Sequence, residues 1–395
     1  MHRNLALSVC LSCLISLAGC GGGSGGSASG APQQQGGGTS GGTAGAAQQV
    51  VSVSGLSMTL NDSPWLSKGV AIQAFVRPLA VLQTDPNEAA RLNARQNYGS
   101  QELAAIQSFH ADTIRFQVGQ PTLDPASPLY DPNYFGEVVN AIKQARQAGF
   151  VVMVMMQDEA ISGEPQPHPL PIAETATDWD LFAAQFGNDR GVVFELYNEP
   201  NLPETPANWQ LWLNGGTVSG QSTPSIGMQA LINRLRASGA QNVFVLDGLD
   251  LGKTLNGLPA VTDPLNRLVY AVHPYQQGTS DESQWDQQFG TPSTQVPVWV
   301  DEWSAPTGLK LGLGSMTSYQ VAVDLLNYVR AHSIPLCTGA FDVPRFVVQN
   351  IPGWTLTNYD NMTQNTQTDG SGTLVYNDFA ANYSRALTLS DGLSH

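Results

Sequence analysis

Basic residues are scarce in this sequence: 17 lysines and arginines stand against 32 aspartates and glutamates, giving a formal net charge of −15. Nucleic acids and anionic lipid surfaces are bound through basic patches, so this balance argues against both as partners. A neutral polymer is compatible with it. The first predicted strand is not followed by a G-x-G-x-x-G motif, which argues against a dinucleotide-binding fold. The sequence also lacks a spacing of histidines and carboxylates typical of a metal site, and therefore implies no cofactor.

Cysteine is also rare, and three of the four cysteines lie within the first twenty positions. Arg3 precedes an apolar stretch at 5–17 that has the length of a secretory signal and is too short to span a membrane as a stable helix. The following Leu17-Ala18-Gly19-Cys20 resembles the lipobox of bacterial lipoproteins, whose cysteine is acylated. We therefore predict a signal peptide at 1–19 and lipidation of Cys20. An ordinary signal peptide with an incidental cysteine is the alternative.

A flexible tether is predicted at 20–50, because 21–48 consists almost wholly of Gly, Ser, Ala, Gln and Thr and cannot bury a core. By the same resemblance, the absence of Asp after Cys20 points to the outer membrane. The lipid would be the only contact with the membrane.

The remaining residues, 51–395, are predicted to form a single catalytic domain. Cys337 is its only cysteine, so we expect no internal disulfide, and the hydrophobic core must stabilise the domain. The sequence carries no dimerisation signal, and we expect a monomer.

Short β-rich runs alternate with amphipathic helical patterns from about residue 65 onward. Several runs are continuously apolar, as at 151–156, which suits parallel strands buried on both faces. The eight predicted strands are 69–75, 112–118, 150–156, 192–198, 242–247, 268–273, 298–303 and 336–341.

Between these strands, apolar residues at helical spacing predict helices, among them 134–148, 226–237 and 321–331. Gly149 and Gly239 stand just after the first two, where glycine commonly ends a helix. Eight strands alternating with helices predict the α/β class and a closed (β/α)8, or TIM, barrel. The proline-containing segments 162–173 and 201–225 are predicted as long loops at the end of the barrel where such enzymes build clefts.

Two of the predicted strands end in a carboxylate. Strand four runs into Asn198-Glu199-Pro200, and strand seven runs into Asp301-Glu302-Trp303. Pro200 is expected to stop its strand and to hold Glu199 in extended geometry. Either carboxylate alone is more typical of a loop or surface acid. Strands four and seven lie across a barrel from one another, however, so Glu199 and Glu302 are expected to face each other over its mouth.

Such a pair has the chemistry that glycosidic bond cleavage requires. One carboxyl group must be protonated in order to donate to the leaving oxygen, and the other must be ionised in order to attack the anomeric carbon. At a separation of about 5–5.5 Å a covalent intermediate forms and the anomeric configuration is retained. Each ionised carboxylate also raises the pKa of its neighbour, so one site can hold an acid and a nucleophile.

These motifs resemble the retaining glycoside hydrolases of the large (β/α)8 clan, and family 5, the cellulase family, is the most similar. The resemblance spans roughly 65–345, with the motifs in the family's order on the expected strands. It implies that Glu199 is the acid/base and Glu302 the nucleophile.

The resemblance also implies roles for four neighbouring side chains. Arg115 matches the family's strand-two arginine, which holds the nucleophile ionised. Asn198 matches the asparagine that contacts the sugar 2-hydroxyl. His273 and Tyr275 match the His-x-Tyr after strand six, whose tyrosine hydrogen-bonds the nucleophile. Trp303, beside Glu302, is a further candidate for contact with a sugar ring.

The sequence departs from the family pattern at two strand ends. The usual histidine after strand three is absent, and Gln157 or Asp158 is expected to replace its hydrogen bonding. The usual tryptophan after strand eight is absent, and Phe341 or Trp354 is the candidate stacking face. Two further tryptophans, at positions 209 and 212, either line the cleft or form the buried face of a helix.

The favoured function is a retaining glycosidase that cleaves a β-linked polysaccharide, with an endo-β-1,4-glucanase as its most specific form. Two alternatives stay open. One is a β-mannanase or other β-glycanase of the same clan. The other is a non-catalytic glycan-binding surface lipoprotein. The two departures favour this alternative, whereas the intact set of site residues argues against it. A barrel with no carbohydrate role would leave the paired strand-end carboxylates unexplained.

Overall fold

The structure is a computed structural model that describes residues 49–158, 167–275, 281–305, 318–358 and 371–393. The predicted lipidation site Cys20 and most of the predicted tether therefore lie outside the described residues. The predicted loop at 162–173 lies partly outside them as well.

Eight parallel strands form a closed barrel, which confirms the predicted fold. Each strand pairs with the next along the chain, and the eighth pairs with the first. The strands are β1 (Lys68–Ile72), β2 (Thr113–Gly119), β3 (Val151–Gln157), β4 (Val192–Glu195), β5 (Phe244–Asp247), β6 (Leu268–Ala271), β7 (Val298–Trp303) and β8 (Leu336–Thr338).

Four strands end earlier than the sequence predicts. β1 ends at Ile72, β4 at Glu195, β6 at Ala271 and β8 at Thr338, which is two or three residues before each predicted end. The apolar pattern continues past these points because the chain stays buried. The strand ladder, however, gives way there to loop geometry around the barrel mouth, and periodicity alone does not reveal that change.

Helices surround the barrel, and the predicted three are present. The helices of nine or more residues are α1 (Ala89–Asn97), α2 (Ser100–Ser108), α3 (Tyr134–Gln147), α4 (Ala173–Phe186), α5 (Pro206–Asn214), α6 (Met228–Ala237), α7 (Ser318–Ala331) and α8 (Gly372–Ala380). Shorter helical segments lie at Leu79–Thr84, Pro86–Glu88, Gln120–Leu123, Leu249–Gly252, Glu282–Trp285, Asp286–Gly290, Thr291–Ser293 and Leu389–Gly392. Gly149 and Gly239 have φ of +93° and +94°, as expected for glycines that end helices. Among the described helices, none has the length and apolarity needed to cross a membrane.

The segment 201–225 differs from its predicted form, since it contains α5. Trp209 and Trp212 form the buried face of this helix, 3% and 0% exposed, and their rings pack edge to face. The buried-face alternative therefore holds for both residues, and neither ring is available to line a cleft.

A small antiparallel sheet that the sequence did not predict closes the end of the barrel opposite the mouth. Its strands are Val51–Ser54, Ser57–Leu60 and Ser63–Pro64. Val51 and Met58 pack into the barrel interior against an apolar layer formed by Val151, Met153, Val193, Val243, Val245, Val269, Ala271 and Trp299. Strands this short carry too few residues for a period-two signal, which is why the sequence did not reveal them.

The folded domain begins slightly before the predicted boundary at residue 51. Gln49 donates to the carbonyl of Gly149 at 2.7 Å and accepts from Arg146 at 2.6 Å. Val50 bonds Asn61 through both its amide and its carbonyl. Residues 49 and 50, which the sequence assigned to the tether, are thus attached to the barrel.

Candidate active site

A polar layer lies directly above the apolar layer inside the barrel. Side chains alternate along a strand, so residues two apart point the same way. Four strands continue in this way from an interior apolar residue to a buried polar one nearer the mouth: Val193 is followed by Glu195, Val245 by Asp247, Ala271 by His273 and Trp299 by Asp301. Strand alternation thus brings charged side chains from different strands together.

Arg115 is the centre of this layer and is fully buried. Its Nε and Nη2 donate to the two carboxylate oxygens of Glu195 at 2.6 and 2.5 Å. Its Nη1 donates to Glu302 Oε2 at 2.5 Å, and Nη2 also donates to Asn198 Oδ1 at 2.8 Å. Burial alone would lower the pKa of Arg115, but the carboxylates of Glu195 and Glu302 outweigh it and hold the pKa above its usual value. Arg115 is therefore a fixed cation that orients both Glu302 and Asn198.

Glu302 reaches the mouth through an irregularity in β7. Val300 pairs with Leu336 and Trp303 with Thr338, so three steps along β7 match two along β8. A bulge of this kind re-aims side chains. Here it turns Glu302 toward Arg115 and toward the hydroxyl of Tyr275, which donates to Oε1 at 3.0 Å.

The same irregularity places Trp303 away from the mouth. Its side chain is 2% exposed and packs in the main hydrophobic core. The sequence singled out Trp303 for contact with a sugar, but in this position the ring offers no face to a ligand. A bulge is not visible in the hydrophobic pattern, so adjacency to Glu302 was a misleading signal for this residue.

Glu199 faces Glu302 from the loop after β4. One carboxylate oxygen of each lies within 4.8 Å of the other and of a ring nitrogen of His273. Both side chains keep an accessible portion, 28% for Glu199 and 17% for Glu302, whereas Arg115, Glu195 and His273 have none. The two carboxylates are thus the acidic groups of this layer that a ligand in the mouth can touch.

The backbone at Glu199 is not extended, contrary to the expectation from Pro200. Its φ is +51°, in the left-handed region that residues with a side chain rarely adopt. The carboxylate of Asp247 accepts the Glu199 amide at 2.8 Å and holds this conformation. The restriction imposed by a following proline was outweighed by this tertiary hydrogen bond.

His273 supports Glu199 from behind. Its Nδ1 lies 3.0 Å from Glu199 Oε1, and its Nε2 lies 3.1 Å from Asp301 Oδ1 and 3.5 Å from Asp247 Oδ2. The His273 ring packs against Gly252, where there is no room for a side chain, because an added Cβ would stand 3.0 Å from His273 Cγ. Its carbonyl accepts the His273 amide at 2.8 Å.

The pKa values of the two facing carboxyl groups shift in opposite directions. Burial raises the pKa of Glu199 above its usual value, and the nearby charge of Glu302 adds to this, although His273 opposes it. Burial acts on Glu302 in the same sense, but Arg115, His273 and Tyr275 outweigh it and lower its pKa. One group therefore favours the protonated form and the other the ionised form.

The comparisons with known proteins agree with this arrangement. Residues 89–338 match the family described as Cellulase (glycosyl hydrolase family 5). The chain belongs to glycosyl hydrolase family 5. An endoglucanase from Paenibacillus polymyxa is 23% identical over 180 residues, which cover 41% of this chain and 43% of that protein. The chain thus matches less than half the length of that relative.

Solved structures of similar fold have low sequence identity to this chain. A β-glucanase from Saccharophagus degradans has a TM-score of 0.61 at 16% identity, covering 86% of this chain and 95% of that one. The catalytic domain of an endoglucanase from Thermobifida fusca has a TM-score of 0.53 at 14% identity, covering 84% and 97%. At these identities the likeness supports the barrel fold of the family.

The residues at the two strand ends that depart from the family 5 pattern make different contacts in the structure. After β3, Asp158 accepts the amide of His168 at 2.9 Å, so it braces its own loop. Gln157 is buried at the end of β3, and it stays a candidate to replace the missing histidine. After β8, the rings of Phe341 and Trp354 stack at 5.6 Å. Phe341 is 1% exposed and offers no face to a ligand, whereas Trp354 is half-buried and stays a candidate stacking face.

Three acidic residues of this family 5 site were not predicted as site residues. Glu195, Asp247 and Asp301 are each fully buried, and each contacts Arg115, His273 or Glu199. A signal for them existed: each is an acidic residue at the end of an apolar strand, two positions after an interior apolar residue. A buried acid requires a partner, so this position predicts an ion-pair network.

One potential metal-ligand atom from each of four side chains lies within 4.8 Å of the other three; the side chains are Glu195, Asp247, His273 and Asp301. Such a cluster has the composition of a metal site. Glu195 pairs with Arg115, and Asp247 and Asp301 face His273, so the four side chains form an ion-pair network, and we assign no metal ligand among them. Burial lowers the pKa of His273, but Asp247 and Glu302 outweigh it and raise the pKa well above its usual value. Burial and Asp301 raise the pKa of Asp247 to about 7.

Proposed function

We propose that this family 5 enzyme is a retaining endo-β-glucanase that cleaves a β-1,4-linked glucan. The observation that carries the proposal is the pair Glu199 and Glu302, whose carboxylates face each other within 4.8 Å while their pKa values shift in opposite directions. Two carboxyl groups so arranged are what a double displacement at an anomeric carbon requires.

In the first step, Glu302 attacks the anomeric carbon and Glu199 gives its proton to the leaving oxygen. The glycosidic bond breaks, a bond from sugar to Glu302 forms, and the shortened chain leaves as an alcohol. Arg115 and Tyr275 hold Glu302 ionised and oriented for the attack, with donors at 2.5 and 3.0 Å. Formation of the ester removes the negative charge of Glu302, which had raised the pKa of Glu199, so Glu199 stays ionised and can accept a proton in the next step.

In the second step, Glu199 takes a proton from water, and the oxygen of that water attacks the same carbon. The bond to Glu302 breaks and the sugar is released with its original anomeric configuration. In this proposal Asn198, held by Arg115 beside Glu199, contacts the ring hydroxyl next to the anomeric carbon.

The substrate proposal is supported by relatives with the same fold. The Saccharophagus degradans β-glucanase and the Thermobifida fusca endoglucanase were both solved in complex with cellotetraose, a β-1,4-linked glucose tetramer. The acidic character of the chain fits a neutral polymer. A β-mannan is the competing substrate, and it is an outcome of the experiment below.

The test is release of reducing ends from soluble β-glucans, mannans and xylans by the wild-type chain. Glu302→Gln and Glu199→Gln keep the shape of each side chain but remove the carboxylate, and both should abolish release. Glu137→Gln is the matched control, since Glu137 lies on α3, is 41% exposed and pairs with Arg95. The proposal fails if a folded wild-type protein binds oligosaccharides without turnover, which would support the glycan-binding alternative, or if either glutamine variant retains wild-type turnover.

We also propose that Cys20 carries a lipid that fixes the enzyme to the outer membrane. In support, Gln49, the first described residue, lies at the end of the barrel opposite Glu199 and Glu302. A tether that joins the barrel at this end leaves the mouth free for a polymer. The wild-type chain should sediment with outer membranes, and Cys20→Ser should release it. Equal sedimentation of both would overturn this proposal.

A further inference from the structure

Asp247 is the residue that contacts Glu199 by two routes. Its Oδ2 accepts the backbone amide of Glu199 at 2.8 Å. The same oxygen lies 3.5 Å from His273 Nε2, and the other nitrogen of that ring lies 3.0 Å from Glu199 Oε1. Asp247 thus contacts both the main chain of Glu199 and the group that holds its side chain.

His273 carries acidic groups at both ends of its ring. Glu199 faces Nδ1, whereas Asp301 and Asp247 face Nε2. Carboxylate oxygens accept hydrogen bonds, and so does the unprotonated oxygen of a carboxyl group, so the ring donates to both sides when both of its nitrogens carry a proton. The geometry therefore favours an imidazolium, which is cationic and donates to Glu199.

Other charges face this cluster from the neighbouring strands. Glu302 comes from β7, Glu195 from β4 and Arg115 from β2, and Arg115 pairs with the first two. Asp247, His273 and Asp301 are fully buried, so no water screens them from one another. Asp247 and Asp301 are therefore the groups available to balance a positive charge on His273.

The left-handed backbone of Glu199 needs such support. A residue with a side chain at φ of +51° is strained, and the strain persists only where the surroundings fix the conformation. The loop after β5 contributes here too, because the amide of Leu251 donates to the carbonyl of Pro200 at 3.1 Å. Asp247, at the end of β5, directly precedes this loop and adds its own hydrogen bond from the Glu199 amide.

We propose that Asp247 is a positioning residue for catalysis, which holds Glu199 through the backbone amide and through His273, and that Asp301 supports the second contact. The proposal rests on the glycosidase function proposed above. With Oε1 of Glu199 bound to His273, Oε2 is the oxygen that transfers the proton. Loss of Asp247 releases Glu199 as an acid while Arg115 and Tyr275 keep the nucleophile in place.

Substrates with different leaving groups separate this role from a merely structural one. General acid catalysis matters for a poor leaving group and little for a good one. In Asp247→Asn, kcat/KM should fall roughly 10- to 100-fold on a phenyl β-glycoside of the preferred sugar. On the 2,4-dinitrophenyl glycoside it should fall by no more than about 3-fold, because that leaving group needs no proton. Asp301→Asn, which removes one contact, should show the same pattern with a smaller loss.

Asp178→Asn is the matched control for removing a buried acid. Asp178 lies on α4, is 3% exposed, and burial raises its pKa to about 8, so it is protonated at neutral pH. Its replacement by the neutral amide should leave kcat/KM unchanged on both glycosides. Equal losses on the two glycosides in Asp247→Asn would overturn the proposal, since misfolding or a displaced nucleophile affects both.

The charge of His273 can be measured without any substrate. The full chain has six histidines, and labelling their ring nitrogens with ¹⁵N allows His273 to be assigned by comparison with His273→Gln. At pH 8 an ordinary histidine, with a pKa of about 6.5, is neutral. In the wild type, His273 should carry protons on both nitrogens at this pH. In Asp301→Asn, the ring should lose one proton at a lower pH than in the wild type.

A neutral His273 ring at pH 8 in the wild type would overturn the His273 route. A chain that hydrolyses no glycan but shows the doubly protonated ring would sink the proposed function and leave the ion-pair cluster standing. The two failures are therefore distinguishable.

Discussion

A carboxylate oxygen of Glu199 lies within 4.8 Å of one of Glu302, across the mouth of the barrel. This separation leaves no room for a water molecule between the anomeric carbon and the second carboxylate, as inversion would require. We therefore expect the first product to have the β configuration of its substrate. Proton NMR of the anomeric signals during the first minutes of hydrolysis measures this, and initial release of the α anomer would contradict the assignment of Glu302 as nucleophile.

Tyr275 should set the acidic limb of the pH profile. Its hydroxyl donates to Glu302 Oε1 at 3.0 Å and stabilises the ionised form, which the reaction needs. Tyr275→Phe removes that donor, so the pKa of Glu302 should rise and the acidic limb of kcat/KM should move to higher pH. Tyr130→Phe is the control, since Tyr130 is an exposed ring, and it should leave the profile unchanged. An unshifted acidic limb in Tyr275→Phe would argue that Arg115 alone controls Glu302.

Removing Arg115 should destabilise the fold as well as stop the reaction. Arg115→Met leaves Glu195 buried and unpaired, and breaking a buried pair in this way costs about 3–5 kcal/mol. The double change Arg115→Met with Glu195→Gln removes the stranded charge and should regain much of the stability. It should not regain activity, because Glu302 and Asn198 remain unsupported. Urea unfolding measures the first effect, and recovery of turnover in the double variant would contradict the second.

Two constraints favour glycine at position 252, a positive φ and a close approach to His273, and their effects can be measured separately. Its φ is +72°, and an added Cβ would stand 3.0 Å from His273 Cγ. Gly239 has φ of +94° with nothing within 4 Å of an added Cβ, so Gly239→Ala tests the backbone alone. Both variants should lose about 1–3 kcal/mol of unfolding free energy from the positive φ. Only Gly252→Ala should also lower turnover, and unchanged kcat there would show that the His273 ring tolerates displacement.

The buried pair of Asp263 and Arg236 should make stability depend on pH. Two guanidinium nitrogens donate to Asp263 at 2.7 and 3.0 Å, and hydrogen bonds from Arg236 and the Arg267 amide outweigh burial to lower its pKa below 3.8. A lowered folded-state pKa gives stability that is present above the unfolded pKa and lost as pH falls through the folded one. Asp263→Asn should therefore cost on the order of 3 kcal/mol at pH 7, less at pH 3. A constant difference between the two pH values would refute this.

Much of the site was predictable because its chemistry is local in sequence. Asn198-Glu199-Pro200 and Asp301-Glu302 stand at the ends of apolar strands, and strand order alone places Glu199 opposite Glu302. Arg115 lies within β2, and His273 and Tyr275 follow the end of β6. The structure brings these residues into contact within one layer.

The backbone details were not predictable because they depend on contacts between distant strands. The bulge in β7 turns Glu302 inward and Trp303 into the core, although the hydrophobic pattern of β7 is regular. The left-handed φ of Glu199 depends on Asp247, which is 48 positions away along the chain.

The sequence by itself determined the barrel, the order of its strands and the pair of carboxylates at its mouth, because apolar periodicity and strand-end position encode all three. Only the tertiary structure decided which carboxyl group is protonated. That depends on burial, on Arg115 and Tyr275 lowering the pKa of Glu302, and on His273, Asp247 and Asp301 surrounding Glu199. Electrostatic interactions fall with distance in space and not with separation in sequence, so the division between acid and nucleophile arises only when the strands close into a barrel.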